Sequence, residues 1–586
     1  MLGFVLKIFR RLRERLGSRF GVAELMGVLC MLLYCSMFYS VIGGRWFNSN
    51  WTTDDAAQQQ YLFHEVQVPG LFKNDPISDY FRTYVPPLHS ALTWHTTRLV
   101  GDPILAGHWI MLLQLGGLLL VAFLFVRRQL GLLPASLAVV WLLHSRHMIQ
   151  RIALGLPRGW PPLLLVGGLY YMAKRSPAGV AFVMLASVLL NAPAALIVGA
   201  SYGLLLLWEI IDPKTRADGL RQLKMFIPLA ALVLAAMFVV HSRPKWIGEA
   251  VSLEVAQNMP EMYKPAGRFP LVPLSPAKDE LRHYGFMAFI SVFHKDYPEI
   301  KERMPEVVFA LFLIGIFYGL IRDRRMPMPR EVFVLGLGSI ATYFVSRWVA
   351  FKLFIPDRYL LAPMTIFFVF AGIFMVATLC RSKSTRLLGG FLIFSLVWLG
   401  SGNGLQGDLN FNKHVRMRSL AVWHWISKNL PTEAVLGGQP TTLDMAMLVG
   451  QRRAYINTEA AHPIFTGYYA FIKPRIELSL RAVYAKSLSE LSSVLDGSGI
   501  THFIFKRDLF YANRLDNAKY FPPFDILVKD LTKGPHDQYA YREIQGLGEQ
   551  DLSDLIVYRD PAYIVISVAG LKRVVERSRT NAQGAS

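Results

Sequence analysis

Long apolar runs alternate with short charged segments along the first 400 residues. The first run, from about Val22 to Ile42, follows a basic stretch (Lys7, Arg10, Arg11, Arg13, Arg15, Arg19). It is long enough to cross a bilayer at about 20 residues and shows no small-residue cleavage site, so it reads as an uncleaved first span. Further runs centre near 104–126, 132–147, 161–173, 177–190, 194–210, 225–240, 306–321, 332–350, 359–380 and 387–402. Together they predict about eleven spans. After about residue 404 the pattern changes. Arg416–Lys428 carries apolar residues at helical spacing, and Ile476–Leu495 also reads as helix. Segments 434–436, 454–456, 502–505 and 563–568 read as short strands. This alternation predicts a small α/β unit.

Composition agrees with the pattern. Of the 586 residues, 53% are hydrophobic and 18% charged, with a mean hydropathy of +0.33. A soluble chain carries about 25% charge. Disorder and a small disulfide scaffold are excluded. Lys and Arg number 62 against 41 Asp and Glu, a net charge of +21. The excess gathers in short loops, which is the positive-inside pattern rather than a nucleic-acid footprint. With the N-terminus in the cytoplasm, the cytoplasmic segments hold the N-terminal cluster, Arg127/Arg128, Lys174/Arg175, Lys214–Lys224, Arg322–Arg330 and Arg381–Arg386. Their basic density is about three times that of the other side. Cys30, Cys35 and Cys380 lie in or beside apolar runs and do not report the redox compartment.

The fold class expected is an α-helical polytopic membrane protein with a C-terminal extracytoplasmic α/β domain. Residues 1–21 form a cytoplasmic basic N-terminus. Residues 22–403 form the transmembrane domain, with external loops 43–103 and 241–305, and residues 404–586 form the outer α/β domain.

Candidate chemistry starts in the first external loop, at Asn50-Trp-Thr-Thr-Asp54-Asp55-Ala-Ala-Gln-Gln-Gln-Tyr61. A carboxylate beside the membrane surface suits a general base for an acceptor hydroxyl. Two adjacent carboxylates also offer oxygen ligands to a divalent cation, Mg or Mn. Equally, Asp54 or Asp55 suits the N-cap of the helix that follows.

A first span followed by an external loop opening on Asp-Asp and a Gln/Tyr helix resembles the GT-C superfamily of glycosyltransferases, of the dolichyl-phosphate-mannose and aminoarabinose-transferase kind. The segment Gly101-Asp102-Pro103-Ile104-Leu105-Ala106-Gly107-His108, running to Arg127-Arg128, is similar to that superfamily's second span. Pro356-Asp357-Arg358-Tyr359-Leu360-Leu361-Ala362-Pro363 resembles its Arg-Tyr-Leu-Leu-x-Pro segment. The resemblance implies an integral membrane enzyme that moves a sugar from a polyprenyl-phosphate carrier to a glycan, lipid or protein acceptor on the non-cytoplasmic face. It implies Asp54 or Asp55 as the base or metal-linked residue, and Arg358 as the residue that meets the carrier phosphate. A guanidinium binds phosphate oxygens bidentately, which suits that role; a snorkelling anchor is the alternative. Lys352 and Arg347 are nearby helpers.

The chain departs from the family pattern in its second external loop, His144–Trp160. That loop has no Asp or Glu, and it carries Arg146, Arg151 and Arg158. A partner acid would come from elsewhere, with Asp75 and Asp79 as candidates, or the mechanism uses one acid, or activity is lost. The basic loop itself reads as an anion site, with Arg158 as a phosphate candidate between Pro157 and Gly159. His89, His95, His108, His144 and His147 lack a zinc-like spacing. Loop 241–305 reads more as packing between spans than as a cap. Asn457–Tyr469 reads more as a docking surface than as a sugar site. The function expected is a membrane glycosyltransferase in a bacterial inner membrane. The rivals are a transporter or flippase of lipid-linked glycan and a non-catalytic envelope assembly protein.

Overall fold

The computed structural model describes residues 22–46, 48–286, 298–323, 326–379 and 421–584. The N-terminal basic cluster, Cys380, Arg381–Arg386 and the expected span at 387–402 lie outside them.

The apolar runs fold as helices at the expected places: Val22–Trp46, Pro103–Leu130, Leu132–His144, Pro161–Ala173, Pro177–Leu190, Ala192–Ile211, Arg216–Val240, Pro298–Asp323, Arg330–Trp348 and Arg358–Leu379. Four of the described helices are both long and apolar enough to cross a membrane: Pro103–Leu130, Ala192–Ile211, Arg216–Val240 and Arg358–Ala377. A fifth span results if Leu132–His144 and His147–Gly155, bent by 67°, are taken together. The chain is an integral membrane protein. Several helices outside these four are shorter than a bilayer crossing, and the expected number of about eleven rests on counting them as spans.

Helix boundaries follow from local chemistry. Asp102 caps Pro103–Leu130 by accepting the backbone N–H groups of Ile104 (2.7 Å) and Leu105 (3.1 Å). Pro363 lies inside Arg358–Leu379 and has no N–H for the carbonyl of Tyr359 four residues earlier. The Ser339 hydroxyl donates to that carbonyl at 2.5 Å and ties the helix to Arg330–Trp348. At one end of the bundle Arg330 pairs with Asp212 (3.0 Å), and Arg175 with Glu209 and Asp218 (both 3.6 Å). These are segments that the charge pattern assigns to the cytoplasm or that join them.

The C-terminal part carries a five-stranded sheet in the order β2-β1-β3-β5-β4. The strands are β1 (Val435–Gly438), β2 (Arg453–Ala454), β3 (His502–Lys506), β4 (Ile556–Arg559) and β5 (Tyr563–Ser567). β1 runs parallel to β2 and β3, whereas β5 is antiparallel to β3 and β4. β4 was not expected: it is a four-residue edge strand directly after a helix, with no fully buried side chain to mark it. The expected helix 476–495 is two helices, Thr466–Val483 and Leu488–Leu495, because the Ser487 hydroxyl caps the second by accepting the Glu490 N–H (3.1 Å).

Apolar packing divides the chain differently from its order. One core lies among the helices. A second joins the first loop (Tyr61, Phe72, Tyr80, Phe81) to the C-terminal part (Trp423, Leu436, Ile472, Phe503). The Tyr80 and Tyr468 rings stack at 3.7 Å between centroids, and the Tyr80 hydroxyl meets His462 Nδ1 at 3.1 Å. Loop 241–305 has a small core of its own around Val251, Met262 and Val272, which includes Ala350 and Phe351.

Candidate active site

The helix Asp54–Gln60 is capped by Thr53, whose hydroxyl accepts the Ala56 N–H at 3.3 Å. The capping role therefore belongs to Thr53. Asp54 and Asp55 stand in the first turn, where the helix dipole favours negative charge. His108 holds the approach to this turn through the Trp51 carbonyl (2.9 Å).

The second loop is drawn against this helix and against Pro103–Leu130. Gln60 donates to the Leu154 carbonyl and Gln114 to the Leu156 carbonyl, each at 3.0 Å. The loop backbone passes so close to Pro103–Leu130 that a Cβ on Gly155, which has φ +64°, would lie 2.1 Å from the Gly107 carbonyl oxygen. Glycine is required there by both conformation and space. This approach brings Arg158 to Asp55: one guanidinium nitrogen, Nη1, donates to Asp55 Oδ2.

Asp55 and Arg158 face a cavity of about 1150 Å³. Its walls come from the first loop (Gln58, Gln59, Tyr84), the second (Arg151, Pro157), loop 241–305 (Arg268, Phe269), the 351–363 segment (Lys352, Arg358) and the C-terminal part (Glu459, His462, Phe465). Its volume exceeds the usual range for a small-molecule pocket, about 300–1,000 Å³. The lining is strongly cationic. Among the described residues, Arg82, Arg151, Arg158, Arg243, Arg268, Lys352 and Arg358 face it against only Asp55 and Glu459.

Some of these cations are already engaged. Arg82 pairs with Glu65 (2.7 Å) and Asp79 (2.6 Å), Arg268 with Glu459 (3.1 Å), and Arg243 lies over the Phe465 ring. Others are short of acceptors. Among the described residues Arg358 has only Asp357 as a carboxylate neighbour, at 3.7 Å. The Nε groups of Arg151, Arg158 and Arg358 are buried with no hydrogen-bond partner among the described residues. A buried N–H without an acceptor is costly, so these three groups beside one cavity are suited to take up an anion there.

The structure thus brings together Asp55, Arg158, Arg358 and Lys352 of the residues expected from sequence. Asp54 does not line the cavity; its carboxylate accepts the Asp55 N–H at 2.9 Å. Arg347 also lies apart from the lining. It donates to Glu280 (2.8 Å), the Ser275 carbonyl (2.9 Å) and the Tyr343 hydroxyl (3.1 Å), which commits it to holding loop 241–305 against the helices. Asp75 caps Pro76–Tyr84 through Ser78 and is buried, and Asp79 is paired with Arg82, so neither supplies a second acid to the cavity.

The second carboxylate in the cavity is Glu459, which spacing did not single out as an acid. Its Oε2 accepts from Gln58 Nε2 and from Arg268 Nη2 (3.1 Å). Burial raises its pKa, the Arg268 charge opposes this, and Asp54 and Asp55 push it further up. Behind it, Asp444 accepts the backbone N–H groups of Thr458 (2.9 Å) and Glu459 (3.3 Å), and burial raises that carboxyl as well. His462 is fully enclosed, and burial lowers its pKa to about 3, so it is neutral. Asn457–Tyr469 does dock the C-terminal part on the first loop, through His462 and Tyr468, and the same stretch also supplies Glu459 and His462 to the cavity wall. Loop 241–305 likewise does more than pack, since Arg268 and Phe269 line the cavity.

Among the described residues, Asp54 and Asp55 do not by themselves make a complete donor set for a divalent cation. Arg158 occupies Asp55 Oδ2, and the described residues contain no group of three or more His, Cys, Asp or Glu side chains placed to hold a metal ion. Three of the five histidines are used otherwise: His144 with the Tyr34 hydroxyl (2.8 Å), His89 with Trp160 Nε1 (3.1 Å) and His108 with Trp51.

No protein-family model and no curated relative matches the chain. Among solved structures it is similar to ArnT from Cupriavidus metallidurans in the apo state, with 14% identity over 92% of this chain and 98% of that one, at a TM-score of 0.49. The same protein bound to undecaprenyl phosphate gives 14% identity, 92% and 97% coverage, and a TM-score of 0.46. The Archaeoglobus fulgidus oligosaccharyltransferase, in a complex with Zn and sulfate, gives 11% identity over 85% of this chain and 70% of that one, at a TM-score of 0.49.

Proposed function

We propose that the chain is a membrane glycosyltransferase that transfers a sugar from a polyprenyl-phosphate donor to an acceptor hydroxyl on the extracytoplasmic face. The observation that carries this reading is the meeting of one carboxylate, Asp55, with the acceptor-poor guanidinium groups of Arg151, Arg158 and Arg358 in a single cavity.

The donor phosphate lies against Arg158, Arg358 and Arg151, with Lys352 at the rim. Asp55 Oδ2 stays with Arg158, and Oδ1 takes the proton of the acceptor hydroxyl. The acceptor oxygen bonds to the anomeric carbon as the bond from that carbon to the phosphate oxygen breaks. The leaving phosphate gains negative charge in the transition state, and the arginines stabilise it where it grows. A single displacement inverts the anomeric centre. The reading places the cavity, the two large loops and residues 404–586 on the outer face, because the paired Arg330 and Arg175 segments lie at the other end of helix Ala192–Ile211, whose N-terminus lines the cavity.

The test is transfer by purified protein from labelled polyprenyl-phosphate sugars to a mixed acceptor pool, with chiral analysis of the product. Transfer with inversion supports the reading, and retention overturns the single displacement. Carrier binding without transfer from any donor would move the assignment to a non-catalytic assembly protein.

A further inference from the structure

The Glu459 carboxylate is tied down on one side only. Both of its donors, Gln58 Nε2 and Arg268 Nη2, meet Oε2. Oε1 accepts no hydrogen bond from the described residues, although an ionised carboxylate has about four acceptor sites. Its side chain is 16% exposed, and Glu459 is one of the residues that line the cavity.

The three groups come from three distant parts of the chain. Gln58 belongs to the helix that carries Asp55, Arg268 to loop 241–305, and Glu459 to the C-terminal part. Arg268 is fixed a second time by the Thr458 carbonyl (2.9 Å). Phe269 follows Arg268 on the same wall, and the Tyr84 ring also borders the cavity. A fixed carboxylate oxygen beside a guanidinium and an aromatic face is the chemistry that binds a sugar ring: hydroxyls donate to the oxygen, and ring C–H groups lie on the aromatic surface.

Position agrees with chemistry. Arg158 touches Asp55, so a phosphate on Arg158 and the base are one guanidinium apart. Gln58, three residues after Asp55 on the same helix, donates to Glu459 Oε2, and all three residues line the same cavity. A sugar joined to that phosphate must project from the cationic wall into the same space.

We propose that Glu459, positioned by Arg268 and Gln58, binds the hydroxyls of the donor sugar through its Oε1 and thereby supplies the second carboxylate that the basic second loop lacks. This rests on the donor reading given above. It makes Glu459 a specificity residue for a hydroxyl-bearing sugar and gives the C-terminal part a direct place in donor recognition.

The experiment compares binding of two kinds of probe to the full chain in nanodiscs: polyprenyl phosphate alone, and the same carrier bearing arabinose, glucose or mannose. The wild type should bind at least one sugar-bearing carrier ~10- to 100-fold more tightly than the bare one, the range expected for a hydrogen bond to a charged group. Glu459→Gln should remove most of that difference and leave bare-carrier affinity within about twofold. Glu459→Asp, which keeps the charge, should restore part of it. Retention of the difference in Glu459→Gln overturns the proposal. So does a wild type that gains nothing from any of the three sugars, or a loss of bare-carrier affinity in both variants, which would make Glu459 a purely structural link. Failure of the wild type to bind bare carrier is a different result: it removes the donor reading itself.

Discussion

Asp55 and Arg158 meet through one carboxylate oxygen: Nη1 of Arg158 donates to Oδ2, and Oδ1 has no donor among the described residues. The pair couples the candidate base to the candidate phosphate site. Removing the base should therefore separate chemistry from binding. Asp55→Asn is expected to lower kcat by about 10²- to 10⁴-fold, the usual contribution of a general base, with donor affinity changed only a few-fold. Asp54→Asn, at a residue outside the cavity, should stay within about threefold of the wild type by the same criterion. Equal losses in the two variants would place the base elsewhere.

The basic residues should fall into two groups. Arg358→Ala removes a guanidinium whose one carboxylate neighbour, Asp357, is 3.7 Å away, so its effect should appear as a rise in donor KM of about 10- to 100-fold. Lys352→Ala, on an exposed side chain, should raise KM less. Arg347→Ala should behave differently, because its loss leaves the mostly buried Glu280 carboxylate without its ion pair. It should destabilise the protein by about 3 kcal/mol and leave donor KM near the wild-type value. Steady-state kinetics beside thermal unfolding separates the two groups, and a rise in KM for Arg347→Ala with no loss of stability would reverse the assignment.

Divalent cations should not be required. Arg158 already provides a positive charge at the Asp55 oxygen that a cation would take, and among the described residues no third donor completes a set there. Transfer should survive chelation with EDTA within about twofold. A fall of tenfold that added Mg or Mn restores would show that Arg158 gives way to a metal ion in the working enzyme.

Which features were legible in the sequence follows from the range of the interactions that make them. The helices were readable because each is an apolar run closed by charge, Pro or Gly, and those signals lie within the run itself. The strands β1, β2, β3 and β5 announced themselves by buried apolar stretches, whereas β4 has an alternating, half-exposed edge that a preceding helix obscures. The Asp54-Asp55 pair was readable as adjacent carboxylates just past the first span, though not which of the two faces the cavity; Arg158 was readable from its Pro-Arg-Gly turn in a loop without acids, and Arg358 and Lys352 only through the resemblance of their segment. Glu459 was not, since its role depends on partners about 200 and 400 residues away, Arg268 and Gln58. The sequence does register the missing acid in the second loop. Only packing of the C-terminal part on the first loop, through Tyr80, Tyr468 and His462, shows where a carboxylate enters instead. The contact of Arg347 was illegible for the converse reason: its nearness to Lys352 along the chain says nothing of Glu280, which comes from another loop.

That docking surface should carry a pH signature. His462 is buried against Tyr80 and Phe269, and burial lowers its pKa from 6.5 to about 3. In the unfolded chain the imidazole takes up a proton first as the pH falls. Its contribution to stability is therefore complete above about pH 6.5 and is lost progressively down to about pH 3. Between pH 7 and pH 5 this one group should cost about 2 kcal/mol, at about 1.4 kcal/mol per unit below 6.5. His462→Gln keeps a hydrogen-bonding group for the Tyr80 hydroxyl but cannot be protonated. Thermal unfolding followed by tryptophan fluorescence at pH 7 and pH 5 should show a smaller drop in midpoint for His462→Gln than for the wild type. Equal drops would mean that the acid sensitivity of the interface between the first loop and the C-terminal part arises from another group.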